Sequence, residues 1–258
     1  MIKSNKPVIL VTNDDGITFP GIRALIEVMR MLGEVVVVAP DKPHSGTGHA
    51  ITVKKPLRLN KVNIDGEPAE YSCSGTPVDC VKLAVNKVLH RKPDLCVSGI
   101  NHGSNSSINV IYSGTMSAAL EGAIEGIPSF GISLCNTSID ADLSVAKKYA
   151  KIVAENVLKY GLPKGSCLNV NIPPIEEKNI KGVKICRQAN ANWEEDFDER
   201  NDPNGEKYYW LTGVFKNYDD GDDTDEWALT NNYISIVPVQ FDFTAHHAIP
   251  FINSWEFE

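Results

Sequence analysis

No stretch of this chain is apolar for long enough to cross a bilayer. The longest runs, such as residues 35–39, fall far short of the roughly 20 residues a spanning helix needs. The N-terminus, Met1-Ile2-Lys3-Ser4-Asn5-Lys6, leads straight into an apolar strand and carries no cleavage-site pattern. A basic excess is missing too. Lys and Arg number 25 against 33 Asp and Glu, a formal net charge of −8. Proteins that grip a nucleic-acid backbone cluster Lys and Arg, so a polymer-binding function is not expected. A single phosphate remains within reach, because a metal ion and a few backbone N–H groups can hold it locally. No C-x-x-C occurs among Cys73, Cys80, Cys96, Cys135, Cys167 and Cys186. Most of these lie in apolar periodic segments. Reduced, buried thiols in a cytoplasmic protein are therefore expected, rather than disulfides or a zinc site.

Several catalytic signatures are also absent. The first strand-to-helix turn has no G-x-G-x-x-G, and the chain has no G-x-x-x-x-G-K-[ST] and no G-x-S-x-G elbow. Asp14-Asp15 lacks the D-x-D spacing of phosphatases with an aspartyl nucleophile. What is present is ordinary globular material. The 258 residues are 42% hydrophobic and 22% charged, which excludes a disordered chain and suits one large domain or a domain with a subdomain.

Strand and helix patterns alternate through the first half. Residues 8–12 form a β-branched run that stops at Asn13-Asp14-Asp15-Gly16. Ile22, Leu25, Ile26 and Met29 then recur at helical spacing, with Gly33 placed to close the helix. Residues 35–39 read as a strand buried on both faces, which suggests a parallel sheet under helices. Thr76-Pro77-Val78-Asp79 is a helix start: a capping hydroxyl, a proline at the first helical position and an acid at the positive end. Residues 95–98 give the next strand, ending at Gly99-Ile100-Asn101. Ser113-Gly114-Thr115 opens a further helix, residues 129–134 another strand, and residues 143–160 a long helix closed by Gly161 and Pro163.

After residue 167 the style changes to strand-like stretches at 168–172, 183–186, 208–212 and 233–238. The expected fold is therefore α/β: a doubly wound, mostly parallel Rossmann-like sheet with a β-rich C-terminal extension. The division expected is a core over 1–167 that carries the site and a β-rich part over 168–258. The acidic run 219–226 reads as a solvated loop, since its glycine is misplaced for an EF-hand and no flanking helices appear.

Ligands of an open α/β sheet bind beyond the carboxyl ends of its strands. Three strand ends here carry oxygen donors: Asn13, Asp14 and Asp15 after the first, Ser45 after the second, Asn101 at the third. Two carboxylates, a hydroxyl and an amide carbonyl suit Mg²⁺, Mn²⁺ or Ca²⁺ better than zinc. Asp14 and Asp15 alone could equally be turn residues beside Gly16, and the convergence of three strand ends favours the cation. Ser113-Gly114-Thr115 could be a plain helix cap. Beside a cation site the same helix start becomes a phosphate cradle of free N–H groups and hydroxyls.

These motifs together resemble the SurE survival protein family. The resemblance rests on residues 11–16, 38–41 leading to Ser45-Gly46, 75–81, 98–105 and 112–122, with Thr224-Asp225 and residues 237–246 near the C-terminus. It runs nearly end to end. It implies a nucleotidase that hydrolyses nucleoside 5′- and 3′-monophosphates with one divalent cation, Mg²⁺ or Mn²⁺, per subunit, and leaves short polyphosphate open as a further substrate. It implies metal ligation by Asp14, Asp15, Ser45 and Asn101, with one of the two Asp carboxylates steering the attacking water. It implies phosphate contacts from Asn105, Ser113, Gly114 and Thr115. It also implies a homodimer or homotetramer joined through exchanged C-terminal arms, with Asp242 and His246 anchoring an arm. Lys42-Pro43-His44 departs from the Arg and Asn common in the family, and His102 occupies a variable position. The residues by themselves also admit a nucleotide-using transferase or a nucleotide sensor without turnover. The stretch 192–226 is irregular and is expected to shape the tetramer arm.

Overall fold

The computed structural model describes residues 6–257 except 65, 67 and 68. Strand β1 (Val8–Thr12) is buried along its whole length, because helices cover both faces of the sheet. Its alternation sorts the two sides: Ile9 and Val11 face one apolar cluster, with Val97, Phe130, Ile132 and Val170. Leu10 faces the other, with Val36, Val38, Cys96 and Ala118. Taking one such side chain out of water stabilises the fold by about 2 kcal/mol.

Helix α1 (Pro20–Arg30) starts on its proline and leads to β2 (Glu34–Pro40), which pairs parallel to β1. Two short strands follow, β3 (Leu59–Val62) and β4 (Glu70–Cys73), and neither has an apolar pattern that the sequence reading could use. Helix α2 (Pro77–Leu83) carries the expected capping box. The Asp79 N–H donates to Thr76 Oγ1 at 3.2 Å, and the Thr76 N–H donates to Asp79 Oδ2 at 3.0 Å. Strand β5 (Leu95–His102) runs on past Ser98, so Asn101 belongs to the strand, and its register against β6 shifts between Gly99 and Asn101. Helices α3 (Asn109–Tyr112) and α4 (Gly114–Ile124), strand β6 (Ser129–Leu134), helix α5 (Ser144–Tyr160) and strand β7 (Ser166–Ile172) complete the alternating part.

Strand β8 (Gly182–Ile185), the hairpin of β9 (Ala191–Asn201) and β10 (Lys207–Asn217), helix α6 (Asp225–Thr230), strand β11 (Tyr233–Gln240) and helix α7 (Ile249–Ile252) make up the rest. The large sheet runs β3-β4-β2-β1-β5-β6-β7-β11-β8, while β9 and β10 form a separate antiparallel pair. The pairs linking β4, β2, β1, β5, β6 and β7 are parallel; β3 and β11 are antiparallel to β4 and β7. The doubly wound α/β expectation holds. All six cysteines are free, and among the described residues no helix is long and apolar enough to cross a membrane.

Two expectations are corrected. The stretch 192–226 is not irregular: Ala191–Asn201 pairs residue for residue with Lys207–Asn217. Its charged sequence hides a strand that is exposed along nearly all of β9. The acidic run 219–226 is a solvated loop only over its first part: Asp220, Asp222 and Asp223 are exposed, while Thr224 and Asp225 are buried at the start of α6. Arg187 donates to Asp219 at 2.6 Å and to Asp223 at 2.9 Å. Thr224 caps α6 and turns Asp225 inward, where its carboxylate accepts the N–H groups of Ser107 (2.7 Å) and Ala189 (2.9 Å). Buried backbone donors need such partners, so Thr224-Asp225 is a tie between the C-terminal part and the loop after β5.

Candidate active site at the strand ends

The chain winds from β1 outward to β2 and β4 on one side, then returns to β5 beside β1 and winds outward the other way. The crevice at such a reversal is where open α/β sheets bind ligands. Asp14 and Asp15 follow β1, Ser45 lies in the loop after β2, and Asn101 is the next-to-last residue of β5. Thr12 pairs with Ser98, so Asp15 and Asn101 each stand three residues past the same rung (15 − 12 and 101 − 98).

Each side chain has a definite commitment. Asn13 closes the turn: it donates to Gly16 O at 3.0 Å and accepts the Gly16 N–H at 3.3 Å. Asp14 is buried, and its Oδ1 accepts the Thr115 hydroxyl proton. Its carbonyl accepts the His44 N–H at 2.7 Å, which docks the loop that carries Ser45. Burial pushes the Asp14 carboxyl up, against the hydrogen bonds from the Thr115 hydroxyl and backbone that favour its charged form. Asp15 is pushed up to about 7, first by burial and then by the Asp14 charge beside it. Its Oδ2 is buried and has no hydrogen-bond partner among the described residues. Asn101 donates its amide to Gly103 O at 2.9 Å, which leaves its amide oxygen as the group to offer. Ser45 is exposed on its loop.

The phosphate-contact residues divide. Ser113 caps α4 by accepting the Met116 N–H at 3.0 Å, so its own hydroxyl proton remains available. Thr115 is fully buried, and its hydroxyl goes to Asp14. Gly114 lies against Asp14: a Cβ built there would stand 2.6 Å from the Asp14 Cβ. Asn105 is buried in a polar ladder. Its N–H donates to Asn171 at 2.9 Å, its amide to Ser133 at 2.8 Å, and its carbonyl accepts from Asn169 at 2.8 Å. Ser133, Asn169 and Asn171 were not foreseen. The signal for two of them is Asn-Val-Asn-Ile within β7, two amides at period two inside an otherwise buried strand.

Two histidines border the site. His44 has a buried Nε2 with no partner among the described residues, and burial pushes its ring down; Lys42 adds to this. His102 packs edge-on to Phe19 at 5.1 Å, both its ring nitrogens lack a partner among the described residues, and burial pushes it down as well. Asp242 and His246 pair with each other at 3.0 Å on an exposed segment.

A divalent cation fits this donor set. Two adjacent carboxylates repel each other, one buried carboxylate oxygen lacks a partner, and the neighbouring donors are hard oxygens. Among the described residues no group of three or more His, Cys, Asp or Glu could hold a metal.

Fold and site together define a doubly wound α/β protein with an acidic, oxygen-lined crevice facing a helix N-terminus. Residues 9–195 match the family described as Survival protein SurE. A 5′-nucleotidase SurE of Flavobacterium psychrophilum is 64% identical over 253 residues, 98% of this chain and 98% of that one. Another, of Christiangramia forsetii, is 63% identical over 256 residues, again 98% of each. The crystal structure of the SurE protein from Aquifex aeolicus superposes with a TM-score of 0.84 at 38% identity, covering 96% of this chain and 98% of that chain. The chain belongs to the SurE family.

Proposed function

We propose that this chain is a divalent-cation-dependent phosphomonoesterase that hydrolyses nucleoside 5′- and 3′-monophosphates, as the name of its relatives indicates for the 5′-esters. The observation that carries the reading is the Asp14–Asp15 pair: Asp14 is buried against the N-terminus of α4, and beside it the half-buried Asp15 has a carboxylate oxygen with no partner among the described residues. Asp14, Asp15, Ser45 and Asn101 would hold the cation, Mg²⁺ or Mn²⁺. When bound, a divalent cation supplies charge neutralisation at the phosphoryl oxygens and a lowered pKa for water.

The chain's own groups do the rest. The Ser113 hydroxyl and the first-turn N–H groups of α4 hold phosphate oxygens, where the helix dipole favours negative charge. Thr115 fixes the Asp14 carboxylate, and an Asp carboxylate orients the attacking water. The catalytic contribution is positioning and electrostatic stabilisation of the transferring phosphoryl group. Asn105 acts by shaping the loop from β5 to α3, since its amide is donated to Ser133.

We also infer a core over 1–167 and a C-terminal part over 168–258 that supplies an oligomerisation arm, making a homodimer or homotetramer. Exposed apolar side chains support this, among them Phe243 at 84% exposure in the segment after β11. A cytoplasmic location agrees with six free thiols.

The test is phosphate release from nucleoside 5′- and 3′-monophosphates with Mg²⁺ or Mn²⁺ and with a chelator. Release should stop with the chelator, return with metal, and be lost in Asp14→Asn. Tight binding without release would make the protein a sensor, and release that depends on an acceptor would make it a transferase.

A further inference from the structure

The crevice continues into a cleft of about 600 Å³ that the phosphate chemistry leaves unused. That size is typical of a site for a small organic ligand. Its lining includes Gly46, Tyr112, Trp193, Glu195, Leu211 and Gly213. Gly46 is the residue after Ser45 and Tyr112 the residue before Ser113, so the cleft opens one residue from two segments of the cation and phosphate site. Its far wall is the β9–β10 hairpin. Cross-strand pairing puts Trp193 with Phe215, Glu195 with Gly213 and Phe197 with Leu211 on one hairpin face.

That wall is prepared for a flat ring that carries N–H donors. The Trp193 indole donates to Asn109 Oδ1 at 2.9 Å and packs edge-on to Phe215 at 5.4 Å, yet keeps 43% of its surface open. Tyr112 is likewise half exposed. Fixed aromatic surface binds with little loss of side-chain freedom. Glu194 pairs with Lys216, Asp198 with Arg200 and Glu199 with Lys207, whereas Glu195 and Asp196 have no ion pair among the described residues, and of these two only Glu195 shares the hairpin face of Trp193. Opposite it, Gly213 keeps the space clear. Its φ is +155°, and a Cβ there would stand 2.6 Å from the Glu194 carbonyl oxygen.

We propose that this cleft is the nucleobase subsite, with Trp193 and Tyr112 as its aromatic walls and Glu195 as the acceptor that reads N–H donors on the base edge. This rests on the nucleotide reading of the phosphate site. A carboxylate only accepts. Guanine presents two adjacent donors, the ring N1–H and the exocyclic amino group, while uracil presents one N–H between two carbonyl oxygens that a carboxylate repels. The subsite therefore favours GMP over UMP.

The experiment compares kcat/KM for GMP, UMP and ribose 5-phosphate, which has no base, in the full chain with Mg²⁺ or Mn²⁺. Trp193→Ala should lower the GMP to ribose 5-phosphate ratio about 10-fold, the scale of one base–aromatic stack. Glu195→Gln should lower the GMP to UMP ratio about 10-fold, the scale of a hydrogen bond to a charged group. Trp210→Ala, on the opposite hairpin face, should change neither ratio. Ratios that stay within twofold in both cleft variants overturn the subsite and leave the hydrolase reading standing. If no ester is hydrolysed, that reading falls, and calorimetric binding of GMP decides the subsite. Weakening by about 10-fold or more in Trp193→Ala supports it, and unchanged affinity overturns it.

Discussion

Gly114 and Asp14 touch where a side chain could not. A Cβ at position 114 would stand 2.6 Å from the Asp14 Cβ and 2.9 Å from its Oδ2, so the first turn of α4 rests directly on the carboxylate. Gly114→Ala must push α4 and Asp14 apart. Displacement of a site carboxylate costs catalytic positioning, and overpacking a buried contact costs about 1–3 kcal/mol of stability. The expected result is a loss of at least about 10-fold in kcat/KM together with a lowered thermal midpoint, measured by phosphate release at a temperature where the variant is folded and by thermal denaturation.

Asp15 is held up at about 7 in the cation-free protein by burial and by Asp14. A divalent cation must displace that proton. Cation binding at pH 6 should release close to one proton, and affinity should fall as pH drops below about 7. Calorimetry in buffers of different ionisation enthalpy reads the proton count directly. Binding that releases no proton and shows no pH dependence between 6 and 8 would remove Asp15 from the ligand set.

Glu121 lies buried on α4 and accepts from His49 at 2.9 Å and from Lys82. Burial raises its carboxyl, but the two partners outweigh that and leave it below the ordinary 4.5. The folded state then binds fewer protons than the unfolded chain. The contribution to stability is complete above about pH 5 and is lost as pH falls through the depressed value. Glu121→Gln should flatten the acid limb of stability against pH, read as the denaturant midpoint from pH 6 to pH 3. Since His49 lies four residues after Ser45 in the same loop, the variant should also loosen that loop.

Asn171 accepts the Asn105 N–H at 2.9 Å inside the sheet and donates to Asn169 at 2.9 Å. Asn171→Leu leaves a buried backbone donor without a partner, which costs about 2 kcal/mol. Denaturant unfolding should show that loss. The loop from β5 to α3 should also exchange its amide hydrogens faster, with the cation-binding end of β1 unaffected.

The alternating strands and helices, the capping box at Thr76, the cap at Ser113 and the oxygen donors at three strand ends are all local facts. Periodicity, turn chemistry and donor type depend on residues close in sequence, and they were legible without a structure. The strands β3, β4 and β9 were not, because their polar sequences become strands only by pairing with partners already in place. What only the tertiary structure decided are the long-range commitments. Thr115 spends its hydroxyl on Asp14, Asn105 spends its amide on Ser133, Asp225 reaches back to Ser107, and the hairpin leaves Glu195 unpaired beside the crevice. The first three join groups tens of residues apart or more, and burial fixes each partner, because a polar group removed from water must find one wherever the fold has brought it.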